Sequence, residues 1–154
     1  MFQGLGELPL FNPDLDASPP ANVAKFLRAV AEVDALLIAS PEYAHGVTGT
    51  IKNALDWLVG FEPFASKCVA VLNASPRAHH ADEALRETLR TMAAVIVEPA
   101  SIYIPLLGTG LDESAIVSTP PIATAILDSL RAIQRVVASP LYPPAAGLTK
   151  QRQS

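Results

Sequence analysis

Half of the 154 residues are apolar and 17% are charged, so one packed domain is expected rather than a disordered chain. The formal net charge of −4 argues against a nucleic-acid partner. No apolar run approaches the roughly 20 residues that span a bilayer, and the single cysteine excludes an internal disulfide, so the composition favours a cytoplasmic protein without a membrane partner.

The first forty residues predict a loop, a helix and a buried strand. Prolines and Asn/Asp residues mark the loop over residues 8–20, and Asp16 or Ser18 is expected to cap the helix that follows. Apolar residues then recur at the spacing of one helical face from Val23 to Val30. The continuous apolar run from Ala35 to Ala39 predicts a strand of a parallel sheet that is covered on both faces.

Strands and helices continue to alternate along the rest of the chain, which predicts an α/β fold with a parallel sheet. We expect one domain over residues 1–138 and a flexible tail over residues 139–154. The further predicted elements are a helix with an apolar stripe from Val47 to Leu58, a buried strand from Cys68 to Leu72, a helix around Leu85 to Met92, a strand in two pieces at Val95–Val97 and Ile102–Ile104 that is broken near Pro99, and a last helix from Thr119 to Val137.

The most informative segment is SPEYAHGVTGTIKNALDW, residues 40–57. It follows a strand and leads into a helix, and such a unit places a ligand at the carboxyl end of a sheet. Pro41 fixes one backbone dihedral, and Gly46 is expected to supply conformational freedom, including positive φ. The segment resembles the pattern [ST]-P-E-Y-N, six residues, [LI]-K-N-A-[ILV]-D-W of the NADPH-dependent FMN reductase family, with Ala44 where the family has Asn.

The resemblance implies a flavodoxin-like parallel sheet with helices on both faces. It also implies FMN and NADPH or NADH as cofactors, and a small-molecule electron acceptor such as a quinone, an azo dye, a metal oxyanion or free flavin. By this resemblance the flavin ring lies beside a first loop made of Pro41, Glu42, Tyr43, Ala44, His45 and Gly46.

A second loop beside the ring is implied after the Cys68 strand, where the family has A-S-P-G-G. Ser75 and Pro76 match that pattern, whereas Arg77 replaces a glycine. Arg77 either meets a phosphate or the electron-rich edge of a flavin, or is a solvated residue ahead of a helix.

The family pattern begins with a strand, a phosphate loop of the type G-S-x-R-x-x-S, a helix and a second strand. That pattern is not found ahead of Leu8, so the fold is expected to lack this first βαβ portion, to leave the Ala35 strand at an edge, and to bind FMN weakly or not at all. Two functions stay open: an NAD(P)H-dependent FMN reductase, or a flavin-free, non-enzymatic remnant that acts as a homo-oligomeric structural or interaction protein.

Several other residues have simpler interpretations. His79 and His80 are expected to be solvated histidines at a helix start rather than metal ligands, and Cys68 a buried packing residue. Tyr103 is expected to pack on the sheet, and residues 108–114 to form a connector. An aromatic cluster of Trp57, Phe61 and Phe64 is expected to stay partly exposed and to favour a homodimer or homotetramer; the alternative is that all three face the monomer core.

Overall fold

The computed structural model describes residues 1–75 and 77–139, so Pro76 and the predicted tail beyond Ser139 lie outside the described residues. Across these described residues, no helix has both the length and the apolar character needed to cross a membrane. The elements are α1 (Ala21–Ala31), β1 (Ala35–Ala39), β2 (Glu42–Tyr43), β3 (Gly46–Val47), α2 (Gly49–Asp56), β4 (Cys68–Leu72), α3 (His79–Thr91), β5 (Val95–Ile96), α4 (Glu113–Ser118) and α5 (Pro120–Val137).

The main sheet contains three parallel strands in the order β1, β4, β5. β1 and β4 pair along their whole lengths, and both strands have the predicted bounds. β5 is short because a 3₁₀ turn at Glu98–Ala100 interrupts it, and Tyr103 then resumes the pairing through one parallel bridge to Asn73. The first predicted piece and the break near Pro99 are confirmed, whereas the second piece is a single bridge at Tyr103 rather than a strand.

Both faces of β4 are buried, and different helices cover them. Val69 and Val71 point into a core that contains residues of α1, α2 and α3. Cys68 and Ala70 point to the opposite face, where Ala132 of α5 packs on them. Alternate residues of one strand therefore serve two cores. This arrangement confirms a flavodoxin-like α/β fold with a parallel sheet and helices on both faces.

Two predicted helix boundaries are wrong. Pro20 is the N-cap residue of α1, and neither Asp16 nor Ser18 caps that helix. A proline suits this position because its φ is already fixed and no N–H is lost to the helix. The Thr48 side chain caps α2, so Val47 belongs to β3 and not to the apolar stripe of the helix.

The predicted exposed aromatic patch is also wrong. Trp57 is only 2% exposed, Phe64 is buried, and Phe61 packs against the same core. The N-terminal segment covers them: Nε1 of Trp57 donates to the Pro9 carbonyl at 2.9 Å, and the Phe11 ring lies edge-on to the indole. The alternative, in which all three residues face the monomer core, agrees with the structure.

The predicted connector at residues 108–114 contains the start of a short helix that the sequence analysis missed. Gly108 and Gly110 have positive φ in the loop, and Asp112 then caps α4 by accepting the Ala115 N–H at 2.8 Å. An aspartate at this position is a strong N-cap signal. The short helix α4 that it starts packs against α5.

β1 lies at one edge of the sheet, as predicted. Its second edge has no strand partner among the described residues. Leu37 at the centre of the strand is 44% exposed although the residue is apolar. An open groove of about 860 Å³ runs along this edge and is lined mainly by apolar side chains of β1, α1 and the N-terminal segment.

Candidate functional site

Two loops meet at the carboxyl end of the sheet. Ala39 and Leu72 are paired neighbours, so the segments that follow β1 and β4 leave the sheet side by side. A cavity of about 10 Å³ lies between them and is lined by Ser40, Asn73 and Asp82 among others. This volume holds about one water molecule, so a flat organic ligand would lie on the outer surface of the loops.

The first loop is a tight hairpin made of β2 and β3. Its two turn residues, Ala44 and His45, have φ of 51° and 59°. Positive φ at both central residues is typical of a type I′ turn, which favours Asn and Gly. Gly46 could have supplied positive φ to this loop, but it pairs with Tyr43 in the ladder and lies outside that region. The hairpin register places the left-handed positions one and two residues earlier, at Ala44 and His45.

The carboxylate of Glu42 is engaged by protein atoms rather than by solvent. Oε2 accepts the backbone N–H of Ala81 in the first turn of α3 at 2.8 Å, and Oε1 lies 3.1 Å from Nδ1 of His45. The hydrogen bond from Ala81 is the largest cause of a lowered pKa for Glu42; burial opposes this shift and His45 supports it. The side chain therefore joins the hairpin to α3, a contact that sequence analysis did not predict.

The second loop is organised by the amide of Asn73. Oδ1 accepts the Ser75 N–H and Nδ2 donates to the Ala78 carbonyl, both at 2.9 Å. Ser75 in turn accepts the N–H of Arg77 at 3.2 Å, which leaves the Arg77 side chain exposed at the surface of the loop. Pro76, a predicted site residue, lies outside the described residues.

Three imidazoles lie together beside the loops. The ring of His80 contacts His45 at 4.5 Å and His79 at 4.1 Å between centroids. His79 and His80 begin α3, as expected for histidines at a helix start, but the contact of the His80 ring with His45 was not predicted. Within residues 1–75 and 77–139, no group of three or more His, Cys, Asp or Glu side chains, these imidazoles included, is arranged so that it could hold a metal ion.

A buried charged network lies under the second loop, toward β5. Oδ2 of Asp82 accepts from Nε of Arg86 at 2.6 Å and from the Tyr103 hydroxyl at 3.2 Å, and Arg86 also binds Glu98. Burial, followed by the charge of Asp82, raises the pKa of Tyr103. Oδ1 of Asp82 is buried without a partner among the described residues, and Asp82 lines the small cavity, which has room for one water.

Sequence analysis missed this network, although the spacing of Asp82 and Arg86 by four residues on a helix was an available signal. Tyr103 does pair with the sheet backbone, but its side chain is half exposed and its hydroxyl bonds to a helix. The prediction that Tyr103 only packs on the sheet is therefore incomplete.

The second half of the recognised motif does not reach the loops. Asn53 accepts the Phe11 N–H at 2.8 Å and donates to the carbonyls of Leu8 and Pro9, and Trp57 donates to Pro9 as well. Lys52 and Asp56 form an ion pair on the exposed side of α2. These residues hold the N-terminal segment in place, whereas the SPEY half builds the site.

The described residues fit the ring of FMN better than its phosphate. The two loops offer an outer surface beside the exposed ring of Tyr43. A phosphate favours the open N-terminus of a helix. At the helices that follow the two loops, however, the Ile51 N–H of α2 is bonded to Thr48 and the Ala81 N–H of α3 to Glu42.

Comparisons with known proteins agree with this geometry. The family profile described as NADPH-dependent FMN reductase matches residues 1–106, more than half of the chain. The chain belongs to the NADPH-dependent FMN reductase family. A quinone reductase from Pseudomonas putida is 31% identical over 135 residues, which cover 80% of this chain and 72% of the relative. A 2-hydroxy-1,4-benzoquinone reductase from a Burkholderia species is 43% identical over 56 residues, 36% of this chain and 31% of the relative.

A solved member of known activity has the same fold. FerB from Paracoccus denitrificans, a flavoenzyme NAD(P)H:(acceptor) oxidoreductase, aligns with a TM-score of 0.65 and 25% identity over 85% of this chain and 78% of FerB. The match with the Burkholderia reductase spans about a third of that relative's length. These relatives are reductases, and they give the flavin-free structural alternative no support.

Proposed function

We propose that this chain acts as an NAD(P)H-dependent FMN reductase that passes electrons to a small-molecule acceptor, and that a quinone is the acceptor class. The observation that carries the proposal is the juxtaposition of the SPEY hairpin and the Asn73 loop at the carboxyl end of the sheet, in a chain of this family. Relatives named as quinone reductases support the choice of acceptor. FMN, when bound, accepts a hydride from the nicotinamide and delivers electrons to the acceptor.

The protein's part in this chemistry is to bind and orient the flavin. The hairpin supplies its exposed backbone and the ring of Tyr43, and the second loop supplies Ser75 and the cationic side chain of Arg77. A cation near the polar edge of a flavin favours the electron-rich reduced form. Arg77 is therefore the first residue to test for an effect on electron transfer rather than on folding.

Titration of the apo protein with FMN, followed by flavin fluorescence, tests cofactor binding. We expect saturable but weak binding, with a dissociation constant in the micromolar range or above, because a first-turn N–H of each flanking helix is already bonded within the protein. Tyr43→Ala should weaken binding further. Val59→Ala is the matched control, since Val59 is 66% exposed against 70% for Tyr43 but follows α2 at the other end of the sheet.

Turnover tests the activity itself. The FMN-saturated chain should oxidise NADH or NADPH in the presence of a benzoquinone, and Arg77→Ala should lower kcat more than it lowers FMN affinity. An FMN-saturated chain that does not oxidise either nucleotide above the rate of free FMN would refute the proposed activity.

We also propose a cytoplasmic homodimer or homotetramer. The open edge of β1 supports self-association, as do the exposed apolar side chains of Val117, Leu127 and Leu130 on α4 and α5. A single cysteine, which excludes an internal disulfide, fits the reducing cytoplasm. Light scattering on the purified chain checks the assembly, and a monodisperse species of 16.3 kDa would refute it.

A further inference from the structure

Glu42 connects the two loops of the candidate site through the first turn of α3. Its carboxylate leaves the hairpin and accepts the Ala81 N–H, across 39 residues of sequence. The same carboxylate bonds to His45 in the turn of its own hairpin. The Glu42 side chain is only 11% exposed, so water competes weakly for the bond to Ala81, whereas His45 is 76% exposed.

The hairpin needs such a contact because its own ladder is short. β2 and β3 share only two residue pairs, and an isolated two-stranded hairpin is marginally stable at best in water. Ala44 and His45 add strain, since both occupy the left-handed region that most L-residues avoid. The position of the hairpin therefore depends on the helix to which it is bonded.

The first turn of α3 is fixed in turn to the second loop. The buried amide of Asn73 donates to the carbonyl of Ala78, the residue immediately before α3, and also accepts the Ser75 N–H. A displacement of this turn would therefore change the second loop as well. The hydrogen bond between Glu42 and Ala81 therefore helps to set the separation between the two loops, beside the ring contact of His45 with His80.

We propose that Glu42 is a positioning residue, which holds the hairpin at the distance from the second loop that a flavin ring requires. The inference rests on the proposed function, because it takes the flavin ring to be the ligand that the two loops support. Glu42 acts through Ala81 and not by contact with a reacting atom. Its loss should therefore widen the distribution of loop separations while the fold itself remains.

The contact depends on an ionised carboxylate, which gives it a pH dependence. The pKa of Glu42 is lowered in the folded protein, chiefly by the Ala81 N–H. The stabilisation is therefore fully present above the ordinary pKa of glutamate and is lost as pH falls through the lowered, folded value. The other titratable groups that face this contact are His45 on the hairpin and His79, His80 and Asp82 on α3.

The test compares Glu42→Ala and Glu42→Gln with Glu87→Gln, an exposed glutamate on α3. In the apo protein, Glu42→Ala should speed hydrogen exchange at the Ala81 amide by roughly ten-fold, because a bond to a charged acceptor is lost. FMN affinity should fall by a similar factor. Glu42→Gln keeps an acceptor oxygen and should therefore recover part of the exchange protection and part of the FMN affinity. In this variant, the NMR chemical shift of the Ala81 amide should no longer change on titration with acid, because the variant lacks the carboxylate. Glu87→Gln should change neither.

Each outcome bears on a separate part of the inference. Unchanged Ala81 exchange in a folded Glu42→Ala variant would overturn the contact, whatever the chain does with flavin. Faster exchange with unchanged FMN affinity would overturn the positioning role. A wild-type chain with no measurable FMN affinity would refute the proposed function and the cofactor half of this inference with it, whereas the Ala81 measurement would still decide whether Glu42 links the hairpin to α3.

Discussion

Replacing Ala44 by glycine should stabilise the protein, although the same replacement usually destabilises. Ala44 is exposed and has a φ of 51°, so its side chain contributes little packing while its backbone lies in the left-handed region. That region is unfavourable by roughly 1–2 kcal/mol for an L-residue. Glycine removes this strain, but it adds about 0.4–1 kcal/mol of conformational entropy to the unfolded chain. The difference predicts a net gain of roughly 0.5–1 kcal/mol in the free energy of unfolding.

Urea denaturation measures this gain as a higher midpoint at constant slope. Ala84→Gly is the matched control, because Ala84 is equally exposed but lies inside α3, where glycine should destabilise by about 1 kcal/mol. Ala44→Asn should also stabilise, since asparagine tolerates the left-handed region without the full entropy of glycine. If Ala44→Gly were neutral or destabilising while Ala84→Gly behaved as expected, the assignment of strain to this turn would be wrong.

Three further predictions concern a helix end, a buried amide and a buried lysine. Ala93→Gly should raise the free energy of unfolding by roughly 0.5–1 kcal/mol in urea, because Ala93 has positive φ where α3 ends. Asn53→Ala should lower it by about 2–4 kcal/mol, as three hydrogen bonds to residues 8–11 are lost, and a loss below about 1 kcal/mol would contradict the role of that amide. Burial lowers the pKa of Lys67, so above the lowered value the folded chain releases a proton that the unfolded chain keeps. Thermal unfolding should therefore show wild-type stability rising with pH through that window, and Lys67→Met should flatten the rise.

The sheet could be predicted from sequence because of how its strands are buried. The runs at Ala35–Ala39 and Cys68–Leu72 are apolar at every position, and they are so short that their bounds follow directly. β4 is buried on both faces as expected, whereas the expected cover on both faces of β1 is wrong, because its second edge has no strand partner among the described residues. The break near Pro99 was visible for a similar reason, since a proline cannot donate to a ladder. The SPEY segment then placed the first loop at the correct end of the sheet.

The contacts within the site could not be predicted in the same way. Glu42 and Ala81 meet only because β1 and β4 are neighbours, and local pattern does not tell where a side chain goes across 39 residues. Positive φ was assigned to Gly46 by residue type, whereas the hairpin register decides which residues make the turn. Trp57 was taken as exposed because nothing local shows that Pro9 folds back over it.

The contacts of Asn53 and Trp57 limit how the recognised motif could be transplanted. A designer who moved residues 40–57 onto another parallel sheet would carry over the hairpin, but would also carry an indole N–H and a carboxamide that need partners. Those partners are backbone groups of residues 8–11, which lie outside the motif. Left unpaired in a core, each would destabilise the host by about 1–3 kcal/mol. The smallest portable unit is therefore discontinuous, and consists of the motif together with the short N-terminal segment that it binds.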